Sequence, residues 1–184
     1  MRKQSAKDIE GAFLKPAFTY LVKNGLENTS VRELCKEMDV SYGSINYWFE
    51  GKDDIYISVV KYGTEKVVSA LIEKSAAAMK NPKDFFDNYL NELDNVLMEL
   101  RLIFQVTSSP IYGERMREKS KELFPLYGKF IDELSKVFNC EPEVVAPVVY
   151  LLIAVTSDYV VWEDRPVAEI QLQYLYTILS EKLK

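Results

Sequence analysis

TSVRELCKEMDV-SYGSINYWFEG-KDDI, residues 29–55, reads as two short helices joined by a tight turn and followed by the start of a third. Ser30 can cap a helix with its hydroxyl while Glu33, three residues on, reaches back to the amide of Ser30, a reciprocal pairing that fixes a helix start. Val31, Leu34, Cys35 and Met38 then recur at helical spacing on one apolar stripe, which predicts a helix over 31–37. Asp39 and Val40 supply a turn. Ser41 is a second cap, and Ile45 and Phe49 anchor a further short helix.

The side of that second helix facing away from its anchors carries Tyr42, Gly43, Ser44, Asn46, Tyr47 and Trp48. A buried face needs none of these hydroxyls, amides and rings. A helix with polar groups on its first turn, braced by a preceding helix, has the layout that enters a DNA major groove. Asparagine can pair with an adenine edge, hydroxyls can donate to phosphates, and a glycine allows close backbone approach. The alternative is an ordinary helical hairpin with a polar outer surface.

From about Ile9 to Val60 the sequence resembles the tetracycline-repressor (TetR) family of bacterial transcription regulators. Phe13, Ala17, Phe18 and Leu21 before Asn24-Gly25 resemble that family's first helix and its closing glycine. Thr29-Ser30-Val31 with Leu34-Cys35 resembles the second helix. Val40 to Ile45, with Tyr47, Phe49, Lys52 and Ile55, resembles the recognition helix and the start of the fourth. The resemblance implies that Tyr42, Gly43 and Asn46 face bases, and that Thr29, Ser44, Tyr47, Trp48 and Lys52 hold the DNA backbone. Tyr42 stands where the family commonly has lysine and Asn46 where it commonly has tyrosine, so no operator preference is implied. Pro16 replaces a usual alanine, and because proline lacks an amide hydrogen and clashes with the carbonyl four residues back, a kink or break is expected there.

Charge qualifies the DNA reading. Residues 1–55 hold eight basic and nine acidic side chains, a net of −1, whereas a nucleic-acid-binding domain is expected to show a basic footprint. Binding would lean on hydroxyls, backbone amides and helix N-termini, with a shallow salt dependence. The whole chain of 184 residues carries −5. Its two cysteines suggest no disulfide framework, Cys35 as core packing and Cys140 as a loop thiol. With no histidine, Ser-His-Asp and Cys-His nucleophiles and most zinc sites are excluded. No phosphate-cradling glycine loop is found either. The expectation is a non-enzyme with no catalytic residues, cofactor or metal.

The start MRKQSAKDIEG lacks the apolar core of a signal peptide. The longest uncharged apolar run, Val144 to Val155, is shorter than a bilayer span. A soluble, cytoplasmic protein without a membrane partner is expected.

Beyond Lys52 the patterning stays helical. It predicts helices over about 53–79, 82–107, 112–119, 121–138, 142–162 and 166–183, with Phe86, Leu90, Leu93, Leu97, Leu100 and Phe104 striping the second of these. The fold class is therefore all-α: an N-terminal three-helix helix-turn-helix DNA-binding domain, residues 1–52, and a C-terminal helical ligand-binding and dimerisation domain, residues 53–184. The penultimate helix is apolar on two sides, with Val144, Val148, Leu152, Val155 and Tyr159 on one and Val145, Val149 and Ile153 on the other. The last carries Val167, Ile170, Tyr174 and Ile178 as well as Leu172, Leu175 and Leu179. Two such helices from each of two subunits would make a two-fold four-helix bundle, as the resemblance also implies.

The resemblance further implies a small-molecule effector. Candidate pocket residues are Tyr89, Phe104, Tyr112, Met116, Tyr127, Phe130, Tyr150, Asp158 and Trp162, whose aromatic character suits an apolar or planar ligand. Asp158 interrupts an apolar helix near its C-terminal end, where its charge opposes the helix dipole and asks for compensation from a ligand, a partner such as Arg101, a subunit contact or solvent. The function expected is a ligand-responsive, homodimeric regulator that binds double-stranded operator DNA, a repressor released by an unknown small molecule. The alternatives are a helical binding or adaptor protein without operator recognition and a small helical enzyme using carboxylates and tyrosines.

Overall fold

The computed structural model describes residues 10–78 and 81–182, and among these every regular element is helical. A π-helical turn, Glu10–Leu14, runs into α1 (Lys15–Asn24); α2 (Val31–Glu37), α3 (Tyr42–Ile45) and the long α4 (Lys52–Ala78) follow. Next come α5 (Pro82–Asp94), α6 (Leu97–Ser108), α7 (Gly113–Ser120), a 3-10 turn at Lys121–Leu123, α8 (Phe124–Phe138), α9 (Pro142–Trp162) and α10 (Arg165–Lys182).

Two expectations about helix boundaries need correction. Pro16 does not break the first helix. It occupies the opening turn of α1, where no amide hydrogen is required, and Leu14 before it is still right-handed helical (φ −60°, ψ −48°). The conflict is absorbed by the wider hydrogen-bonding period of the preceding π turn. The helix expected over 82–107 is two helices, α5 and α6, separated at Asn95-Val96. There the backbone tightens, the Val96 amide donating to the Leu93 carbonyl three residues back at 3.0 Å, while the Asn95 side chain donates to the Asn91 carbonyl at 3.0 Å.

The chain packs as two compact units, one formed by the chain up to Lys66 with Met98–Lys121, the other by Val67–Leu97 with Glu122–Lys184. The first thus includes the opening half of α4, beyond the motif-based division at Lys52. Phe13, Ala17, Leu21, Leu34, Ile45, Ile55, Val59 and Val106 are buried in it. The Phe13 and Phe49 rings meet at 6.0 Å. Gly63 on α4 lies against the buried Phe18 ring of α1, so close that a β-carbon there would stand 2.0 Å from a ring carbon.

In the second unit Phe85 contacts Phe86, Tyr89, Phe130 and Phe138, and Phe86 also meets Tyr176. Helix α9 packs on α8 and α10, with Val145, Val148, Val149, Leu152, Val155, Tyr159 and Val160 buried. Its outer stripe is Pro147, Tyr150, Leu151, Ala154, Val161 and Trp162, so the residues left over for a further contact are not the two sets read from the sequence. On α10 the buried side is Leu172, Leu175 and Leu179, and Val167, Ile170 and Tyr174 face outward, while Ile178 of the same set is half-buried. A further correction concerns length: the apolar run of α9 lies within a 21-residue helix, one 18-residue window of which has a mean hydropathy of 2.0, long and apolar enough to cross a membrane, although 44% of that window is buried inside the protein.

Candidate nucleic-acid interface

Helix α2 begins with the full reciprocal cap: the Glu33 amide donates to Ser30 Oγ at 3.1 Å and the Ser30 amide to Glu33 Oε2 at 3.5 Å. The other Glu33 oxygen accepts from the Tyr20 hydroxyl at 2.8 Å, tying α1 to α2. That hydrogen bond, with burial and the Glu33 charge, pushes the Tyr20 hydroxyl above its ordinary pKa. Asp39 adopts the left-handed conformation (φ 50°) that ends α2, with the Val40 amide donating to the Cys35 carbonyl at 2.9 Å.

Ser41 caps α3 by accepting from the Ser44 amide at 3.0 Å. The regular helix is shorter than expected and closes at Ile45, after which the amides of Tyr47 and Trp48 turn back to Ser44 and Ile45. Asn46, Tyr47 and Trp48 are weak helix formers in succession, so nothing local sustains the helix beyond its buried anchor. This leaves a blunt projection. Tyr42 is 44% exposed and Tyr47 72% exposed, with Asn46 and Gly43 also exposed. A β-carbon at Gly43 would meet nothing within 4 Å, so its backbone is open to close approach. Trp48 is half-buried and meets the Tyr47 ring edge-on at 5.5 Å. The Ser41 and Ser44 hydroxyls lie 2.6 Å apart.

Two carried-over residues behave differently from the rest. Thr29 is buried, and its hydroxyl donates to the Gly25 carbonyl at 2.8 Å, so it stabilises the α1–α2 turn and has no donor pointing outward. Lys52 is exposed at the start of α4, its ammonium 5.8 Å from the centre of the Tyr56 ring. Tyr56 in turn donates to the Thr29 carbonyl at 2.5 Å, and burial, followed by Tyr112 and the Glu33 and Asp53 charges, pushes its hydroxyl up to about 12.

A second support joins the start of α4 to α7. Asp54 is buried and accepts from the Glu50 amide at 3.1 Å and from the Lys119 ammonium at 2.5 Å, with Arg115 at 3.7 Å. Burial opposes the charge, but the Lys119 hydrogen bond, the Glu50 amide and the two cations together hold the carboxyl below its ordinary pKa. The adjacent acids Asp53-Asp54 at a helix start were the available signal; their partner 65 residues on was not legible.

The candidate pocket residues are divided between the two units. Phe104, Tyr112 and Met116 belong to the first unit, where Met116 is fully buried. In the second, Tyr89 is half-buried with its hydroxyl turned inward to bond with Thr156 at 2.7 Å, and desolvation pushes that hydroxyl up to about 12. Phe130 is half-buried against Phe85, and Tyr127 contacts Phe124 at the surface. Tyr150 and Trp162 are 65% and 73% exposed on the outer stripe of α9. Asp158 is half-buried, and its compensation comes from Gln171 on α10, whose amide donates to it at 3.4 Å.

Residues 13–59 match the sequence model of the family described as bacterial regulatory proteins, tetR family. Among curated proteins, the uncharacterized HTH-type transcriptional regulator YuxN of Bacillus subtilis (strain 168) is 23% identical over 145 residues, a match that takes in 74% of this chain. The chain spans about half the length of that relative, 48% of it. Among solved structures, SCO7518 of Streptomyces coelicolor A3(2), described as a transcriptional regulator, superposes over 92% of this chain and 97% of its own with a TM-score of 0.67 at 15% identity, a likeness of fold.

Proposed function

We propose that this chain, a transcriptional regulator of the TetR family, is a cytoplasmic repressor that binds double-stranded operator DNA as a homodimer and is released by a small molecule. The observation that carries the reading is the projection of Tyr42, Gly43, Asn46 and Tyr47 from a doubly capped pair of helices whose other sides are anchored by buried Leu34 and Ile45. Tyr42 and Asn46 contact base edges; Ser44, Tyr47, Trp48 and Lys52 contact the phosphodiester backbone, with Ser41 added and Thr29 reassigned to support. The relatives point to transcription regulation and not to an enzyme.

Dimerisation is supported by the outward stripes of α9 and α10. Tyr150, Leu151, Val161, Trp162, Val167, Ile170 and Tyr174 are all exposed, and each large apolar side chain taken from water on association contributes about 1.5–3 kcal/mol. Two copies meeting through these stripes form a four-helix bundle. The test is an electrophoretic shift with the DNA upstream of the chain's own coding sequence. Asn46→Ala lowers affinity for that DNA while retaining the fold. An unchanged shift in both Asn46→Ala and Tyr42→Ala refutes the assignment of the reading positions.

A further inference from the structure

The first compact unit contains a cleft of about 620 Å³ lined by Leu26, Glu27 and Thr29 from the α1–α2 turn, Lys52 and Tyr56 from α4, and Gln105 with residues Ser108 to Tyr112 from α6 and the corner after it. Small-molecule sites are commonly about 300–1,000 Å³. We propose that this cleft is a binding site for a small planar aromatic anion carrying a second hydrogen-bond donor, and that its occupant competes with DNA for Lys52. The proposal rests on the reading of Lys52 as a phosphate contact.

Three observations support the site. First, its walls are already set. Ser109 Oγ accepts from the Ile111 and Tyr112 amides at 3.1 and 3.2 Å, and the Gly113 amide donates to the Ser109 carbonyl at 2.8 Å, which fixes the α6–α7 corner. Any side chain at Gly113 would come within 2.7 Å of the Thr107 carbonyl, so the corner is tightly closed. The opposite wall is held by the Tyr56 hydroxyl on Thr29. A site formed before binding requires less ordering when a ligand arrives.

Second, the cleft has flat apolar surface and unused polar groups together. The Tyr112 ring is half-buried, held edge-on by the buried Tyr56 ring at 5.9 Å, and Ile111 beside it is 69% exposed. The side chains of Glu27, Gln105 and Ser108 make no hydrogen bond or ion pair among the described residues, and Lys52 has only the Tyr56 ring.

Third, the charges select the ligand. Among the described residues Lys52 is the single cation lining the cleft, so it takes an anionic group, and a ring attached to that group is laid against the half-buried Tyr112 and the exposed Ile111. Glu27 on the α1–α2 side disfavours a second anion and accepts from a donor. A ligand carboxylate on Lys52 occupies the ammonium that would otherwise face a DNA phosphate, so release needs no change of shape.

The test uses the full chain, 6-hydroxy-2-naphthoate as probe and the cation 2-naphthylmethylammonium as comparator, in titration calorimetry without DNA. Submillimolar binding of the naphthoate is expected, with the comparator weaker by about tenfold or more. Ile111→Glu, at an exposed position, and Lys52→Gln each weaken the naphthoate by roughly tenfold, the loss expected when an anion meets a new like charge or loses a charged donor; Lys136→Glu, exposed on α8, leaves it unchanged. Saturating naphthoate then lowers the affinity of the chain for its upstream DNA. No heat at millimolar naphthoate, equal affinity for the cation, indifference to both Ile111→Glu and Lys52→Gln in folded protein, or a DNA complex untouched by saturating naphthoate would each overturn the proposal. Failure of the chain to shift upstream DNA without any naphthoate sinks the regulator reading instead, and the calorimetry still decides whether the cleft binds.

Discussion

Gly63→Ala offers a close test of how α1 and α4 pack, because two effects of known sign oppose each other. In an exposed helix the change would stabilise by about 1 kcal/mol, since glycine is the poorer helix former. Here the new β-carbon would stand 2.0, 2.2 and 2.3 Å from three carbons of the Phe18 ring. Real contacts of this kind are essentially never shorter than 3.0 Å, so the ring or the helix must give way by an ångström or more. Phe18 is buried, with only 8% of its surface exposed, so its ring has little solvent into which to swing. Overpacking of this sort costs about 1–3 kcal/mol, and the size of this overlap favours the upper part of that range. The net expectation is a destabilisation of about 1–2 kcal/mol, or roughly 2–8 °C in Tm for a chain of this size. Chemical denaturation followed by circular dichroism reads it, and a double-mutant cycle isolates the cause. In a Phe18→Leu background the smaller side chain makes room, and Gly63→Ala becomes neutral or stabilising. A raised midpoint for Gly63→Ala alone, or the same loss in both backgrounds, would refute the argument from the ring contact.

Other predictions follow from separate features. Ser30→Ala removes a cap whose two hydrogen bonds are both made, and should cost about 1 kcal/mol in the same denaturation assay; combined with Glu33→Ala, the losses should be less than additive. Because the Asp54 carboxyl is held below its ordinary pKa, the stability it contributes is present above the unfolded-state value of about 4 and disappears as pH falls through the folded one. Asp54→Asn should therefore be less stable at neutral pH and show a flatter acid limb; a wild-type slope in the variant argues against it. Ile170→Asp with Tyr174→Asp places charge on the outer stripe of α10, and sedimentation should move from a dimer to the 21.3 kDa species at micromolar concentration. With a head of net −1, the logarithm of DNA affinity should fall only gently with that of salt, and a slope corresponding to about ten released counterions would contradict the contacts assigned.

What could be read from the sequence was set by local chemistry. Ser30 and Glu33 specify a helix start through bonds three residues apart, and α2 begins where they require. Pro142 and the left-handed Asn139 likewise mark the junction of α8 and α9. The failures are tertiary or depend on competing weak preferences. The turn at Asn95-Val96 carries no glycine or proline to mark it, and the inward side of α9 could not be told because nearly every residue on it is apolar. The same limit applies to the site. The exposure of Tyr42, Asn46 and Tyr47 was legible because polar residues had no packing reason to be there. Thr29 looked like its exposed neighbour Ser30, and only the fold turns its hydroxyl inward. Asp54 with Lys119, and the cleft between the α1–α2 turn and the α6–α7 corner, join segments distant in sequence that no spacing rule connects.

The near-neutral charge of the reading head bears on how such a protein would find its target. A strongly basic domain lingers on any duplex and scans it by one-dimensional diffusion, held by phosphates whatever the sequence. A head with nine acids to eight bases has little of that hold. It would reach its site mostly by collision from solution, so search time would depend on the number of molecules in the cell, and little of that pool would be titrated away by the rest of the chromosome.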